Sequence, residues 1–169
     1  MESEIGCMQG TAKELQDVVM AALLQYQEIL SKVVTEIYPD YFDSVSYQVI
    51  YKCLKRHYEE YLAIPSKPEL AFLIKKVHTP DLGDINDIYK ALDDAIDNKL
   101  SSFDFAFDLV ADFIRRAQGE KALSKVIEAF DGNSINMSKV VETLADAMTL
   151  NFTRTDSFNL ADISRIPEI

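Results

Sequence analysis

The sequence predicts an all-α fold, and three observations carry that reading. The chain has 169 residues but only five glycines and five prolines, too few breakers for a many-stranded sandwich with its frequent turns. Apolar residues recur at spacings of three and four in each long segment, the period of an amphipathic helix. Helix-start signals stand ahead of several of these segments, most clearly Ser66 and Glu69 in capping-box spacing with Pro68 between them.

Residues 1–10 read as a flexible tail. A helix is expected from about Thr11, where Leu15, Val18, Val19, Ala22, Leu23 and Tyr26 share one face and Met20 and Leu24 widen it. A short helix from Glu28 to Ile37 follows and ends at Pro39. Six of the eight tyrosines then fall between Tyr38 and Tyr61. Ser44 stands as an N-cap. Counted at about 100° per residue, Tyr47, Ile50, Tyr51, Leu54, Tyr58, Tyr61 and Leu62 fall within an arc of roughly 120°, and Lys52, Lys55, Arg56, Glu59 and Glu60 lie opposite. A base-stacking platform interleaves aromatic and basic residues on an exposed surface. Here the two classes are segregated, so the tyrosines are expected in a core, with some hydroxyls reaching partners at its rim.

The Ser66 start predicts a helix to about Val77, broken by His78-Thr79-Pro80. Asp84 begins the next, with Ile85, Ile88, Leu92 and Ile96 inward and acids outward. Ser102 caps a long helix whose first part carries Phe103, Phe105, Ala106, Phe107, Leu109, Val110, Phe113 and Ile114 over an arc near roughly 200°, more than one packing partner hides. Gly119 is expected to loosen its middle, after which the pattern resumes with Leu123, Val126, Ile127 and Phe130. A turn follows, then a helix with Ile135, Val140, Leu144, Ala147 and Met148, so the pair reads as an αα-hairpin. The surplus apolar face of its first helix packs either on the preceding helices or on another chain. Residues 153–169 read as a linker with Phe158, Leu160 and Ile163 as anchors. The expected organisation is a tail at 1–10, a globular helical part at 11–100, a hairpin at 101–152 and the linker.

Composition narrows the function. The net charge is −11 and the pI about 4.6, which opposes the basic face a free-standing nucleic-acid binder needs and suits basic partner proteins. Two cysteines, Cys7 and Cys53, offer no disulfide framework, as fits a reducing cytoplasm. The acidic start is not that of a signal peptide, and no run approaches the roughly 18 apolar residues of a membrane span. No phosphate-binding G-x-x-x-x-G-K-[ST] loop is present. The two histidines, His57 and His78, do not form an H-E-x-x-H pair. Cys53 and His57 are neighbours on a helix, but no further group orients the imidazole for nucleophilic work. Asp93, Asp94 and Asp97 read as a solvated face, and Lys52/Lys55/Arg56, Lys75/Lys76 and Arg115/Arg116 as small solubilising clusters. No catalytic, cofactor-binding or metal-ligating residue is expected, which points to assembly or recruitment.

The order of the pieces carries a resemblance. The segment KELQDVVMAALLQYQEILSKVVTEIYPDYFDSVSYQVIYKCL resembles the opening of the N-terminal domain of DnaB-type replicative DNA helicases: an E-x-x-V-L-G-A-L-L-like helix at Leu15 to Leu24, a short segment at Ile29 to Ile37, then Asp40-Tyr41-Phe42 and a helix from Tyr47 to Leu54. The family's frequent His at the start of that last helix is replaced here by Ser46 and Tyr47. YLAIPSKPELAFLIKKV is similar to the version found in tailed phages, and a long helix with a basic pair, Arg115-Arg116, then a turn and a shorter helix complete the likeness over residues 11 to 152. The resemblance implies a globular bundle with a protruding hairpin. Hairpins would pair between protomers into a dimer or hexameric collar that docks primase and helicase loader. ATP and Mg would belong only to a motor domain absent from this chain, so the chain itself would hold no cofactor. It also implies a bacterial host cytoplasm; the lack of an apolar run and the charge of −11 lead to the expectation of no membrane contact and weak or no direct nucleic-acid binding. On the resemblance, Phe103, Phe105, Phe107, Val110, Phe113, Ile114, Leu144 and Met148 are assigned to hairpin packing and protein interface, and Arg115 and Arg116 to any nucleic-acid contact. Two alternatives stand beside it: a free-standing regulator of a helicase or primase with the same fold, and a small helical DNA-binding loader.

Overall fold

The computed structural model describes residues 2–131 and 137–148. Among them are α1 (Glu2–Gln25), α2 (Gln27–Val33), α3 (Val45–Tyr61), α4 (Lys67–Val77), α5 (Ile85–Asp97), α6 (Phe103–Asp131) and α7 (Met137–Met148), with short 3₁₀ turns at Pro39–Tyr41 and Pro80–Leu82 and no strand. The fold class is all-α, as composition and periodicity predict. The helix α1 starts at Glu2, well ahead of Thr11, so most of the expected tail is helical. The expected linker at 153–169 and the turn after α6 lie outside the described residues.

Contacts divide the chain into two compact units, Met1–Ile114 and Arg115–Ile169. The division falls inside α6. The reason lies in what the first half of α6 buries. In the first unit α1 packs on α2 and α5, and α3 packs on α4, α5 and the Pro39–Tyr41 turn. Ala106, Val110 and Ile114 of α6 are fully buried there along with Leu23, Ile29, Ile50, Leu54, Leu70 and Ile74. Each large aliphatic side chain so buried contributes about 1.5–3 kcal/mol.

Four of the six clustered tyrosines, Tyr41, Tyr47, Tyr51 and Tyr58, are buried. Tyr51 shows why a tyrosine serves where leucine would fill the space. Its hydroxyl lies 3.1 Å from the Ile37 carbonyl and 3.3 Å from that of Val34, acceptors just past the end of α2 that the helix itself leaves unpaired. Tyr47 donates to Asp17 Oδ1 at 2.6 Å. Burial, with the carboxylate of Asp17 second, raises the Tyr47 phenol well above its ordinary range. Tyr38, 49% exposed, and Tyr61 depart from the expectation; Tyr61 is 61% exposed, and Leu62 beside it is 68% exposed. The helical wheel carried the latter two into the stripe, but α3 ends at Tyr61 and Leu62 turns out in a left-handed conformation, φ 55°.

The caps follow the sequence closely. The Glu69 carboxylate accepts from the N–H and the hydroxyl of Ser66, both at 2.7 Å, and these bonds hold Glu69 below the ordinary carboxylate range. Asp84 accepts from the Asn86 N–H and Ser102 from the Phe105 N–H. Ser44 occupies the N-cap position of α3 without a side-chain capping bond.

Candidate functional site

The residues assigned to a protein interface do not share one environment. Phe107, Val110, Phe113 and Ile114 are buried in the first unit. Phe113 lies 4.9 Å from the Phe42 ring and 6.4 Å from that of Tyr41. Phe107 stacks on Phe103 at 6.3 Å and carries the Lys32 ammonium 5.5 Å from its centroid. Phe103 is half-buried and meets Tyr26 edge-on at 5.4 Å. The surplus face of the first half of α6 is therefore occupied by the preceding helices, the first of the two partners that periodicity left open. Among the members of the set whose side chains are described, Phe105 points to solvent, 61% exposed. Leu144 and Met148 belong to α7, and their side chains lie outside the described residues.

A second apolar surface takes shape in the second unit. Leu123, Ile127 and Phe130 are 58%, 52% and 53% exposed. Their spacing puts them within an arc of roughly 60° on α6. On α7, Val141 is 60% exposed while Val140 is buried. Sequence reasoning noted this row only as a resumed helical pattern, because the spacing of an exposed apolar stripe is the same as that of a core stripe. Gly119 does not interrupt it: α6 is continuous through that residue, and a methyl group added there would meet no atom within 4 Å.

The chemistry elsewhere is structural. Cys53 is buried, and desolvation raises its thiol to about 11, outweighing the opposing pull of Lys52 and Arg56. A nucleophilic cysteine needs the opposite shift. The His57 ring donates from Nδ1 to the Ala63 carbonyl at 3.0 Å. Asp93 pairs with Lys67 at 2.8 Å on an exposed face, an arrangement of small energetic weight. No group of three His, Cys, Asp or Glu among the described residues could hold a metal ion. Arg115 and Arg116 are exposed, but Asp112 and Glu120 stand one turn on either side of Arg116, so the helix there is mixed in charge and forms no basic stripe. No helix among the described residues is long and apolar enough to cross a membrane.

Comparison of the chain with protein-family models, with curated proteins and with solved structures found no match.

Proposed function

We propose that the chain is an oligomerisation and protein-docking domain of a DnaB-type replicative DNA helicase, forming part of a collar and recruiting primase or loader. The observation that carries the assembly role is the exposed row Leu123, Ile127 and Phe130 with Val141. Exposed apolar residues that share one helix face mark a surface that a protein partner covers. The helicase assignment is supported by the ordered sequence likeness over residues 11 to 152 and by an all-α fold with a long α6 followed by a shorter α7. On this reading the interface belongs to the second half of α6 and to α7, while Phe107, Val110, Phe113 and Ile114 hold α6 to its own first unit. ATP and Mg act in a motor domain beyond this chain.

The test is to raise an antibody against the chain and probe a lysate of its source. A band several times heavier than 19.1 kDa, fractionating with ATP-dependent DNA unwinding that the antibody depletes, is the expected result. A band at 19.1 kDa with no unwinding activity would overturn the helicase assignment.

A further inference from the structure

The corner where α3 ends presents an outlier that folding does not explain. Leu62 is the one non-glycine residue with positive φ among the described residues, at 55°. Glycine or asparagine usually fills such a C-terminal helix position, because a Cβ there is strained. Leucine brings the strain and recovers little burial, since it is 68% exposed. The preceding residue, Tyr61, is 61% exposed. Strain retained at a surface site is the kind of observation from which a functional role is inferred.

The corner is also held firmly. The Leu62 N–H donates to the Tyr58 carbonyl at 2.8 Å. Its own carbonyl accepts from Gln27 Nε2 at 3.1 Å. The next carbonyl, that of Ala63, accepts from His57 Nδ1 at 3.0 Å, and the His57 ring lies 4.7 Å from that of Tyr61. Two large apolar side chains are thus displayed on a turn fixed from α2 and from within α3. The carboxylate beside it is that of Glu60, which accepts a hydrogen bond from the Tyr61 hydroxyl, and Glu28 follows Gln27 on α2, both exposed.

We infer that Tyr61 and Leu62 form a preorganised docking knob for a partner protein with an apolar slot edged by lysine and arginine. A rigid knob loses little conformational freedom on binding. The acidic rim, in a chain of net charge −11, selects the basic edge and speeds encounter. The inference does not depend on the helicase reading, since it uses a different surface from the α6 stripe.

A random peptide display library, selected in parallel on the full chain and on its Leu62→Gly variant, tests this. Glycine relieves the strain, so the variant folds and melts at a higher temperature than the parent. Peptides enriched on the parent are expected to combine basic and large apolar residues, to lose affinity with added salt, and to bind Leu62→Gly and Tyr61→Ser at least about tenfold more weakly. Phe72→Ser, which removes another exposed aromatic, 67% exposed on α4, is expected to leave their binding unchanged. Failure to enrich any peptide, equal enrichment on parent and Leu62→Gly, acidic selected sequences, or an equal loss from Phe72→Ser would overturn the inference. A change in sedimentation mass on Leu62→Gly would overturn it too, by making a second copy of the chain the occupant.

Discussion

Phe113→Ala separates a core role for the first half of α6 from an interface role. The ring is 4% exposed and lies 4.9 Å from Phe42 and 6.4 Å from Tyr41. Truncating a buried phenylalanine costs about 3–5 kcal/mol from lost transfer energy and the cavity left behind. The two ring pairs place this site toward the upper part of that range, each such pair being worth about 0.5–1.5 kcal/mol. Against a typical domain stability of about 5–15 kcal/mol, the loss removes between about a quarter and nearly all of the total. Phe105→Ala, at a position 61% exposed, is expected to stay within about 0.5 kcal/mol of the parent. Urea unfolding followed by far-ultraviolet circular dichroism reads both, as a shift of midpoint at constant slope. A loss below about 1 kcal/mol for Phe113→Ala, or an equal loss for Phe105→Ala, would refute the packing described for α6. The same burial makes Val110→Asp unfold the first unit, because the new carboxylate would sit where the side chain is fully enclosed.

Tyr51→Phe leaves the shape of the core intact but removes the donor to the Val34 and Ile37 carbonyls; thermal or urea unfolding should show a loss of about 1–2 kcal/mol. Gly119→Ala should raise stability by about 0.5–1 kcal/mol in the same assay, since the helix is regular there and the added methyl meets nothing. Cys53, raised from 9.0 to about 11, should carry about a hundredfold less thiolate in the folded chain than in the unfolded one. Alkylation at pH 8, resolved from Cys7 by peptide mapping, should therefore quicken sharply in urea. Because the folded value is the higher, the stability Cys53 contributes is fully present below pH 9 and is lost as pH rises toward about 11. Unfolding titrations of parent and Cys53→Ala should diverge only across that alkaline window.

The parts legible in the sequence were those set by short-range chemistry. Ser66 with Glu69, Asp84 and Ser102 start helices because their oxygens or their neighbours' oxygens lie a few residues from the N–H groups they satisfy, or from each other. Tyr47, Tyr51 and Tyr58 were legible as core because charges were kept off their face. Tyr61 and Leu62 were misplaced because periodicity extends a stripe past the residue where the chain leaves the helix, and a left-handed leucine has no sequence signal. Phe103 to Ile114 announced more than one apolar face, but spacing cannot say which neighbour covers it; only the tertiary packing of Phe42 on Phe113 does. The same blindness hid Leu123, Ile127 and Phe130, since an exposed stripe and a buried one have identical spacing.

The central claim is that another copy of the chain covers that stripe. Sedimentation equilibrium of the full chain beside a Leu123→Ser, Ile127→Ser, Phe130→Ser variant tests it most directly. The account predicts a parent mass that is a multiple of 19.1 kDa and a variant that falls to the single-chain mass with its far-ultraviolet circular dichroism unchanged. A parent that sediments at 19.1 kDa at all concentrations, or a variant that assembles as the parent does, would contradict it.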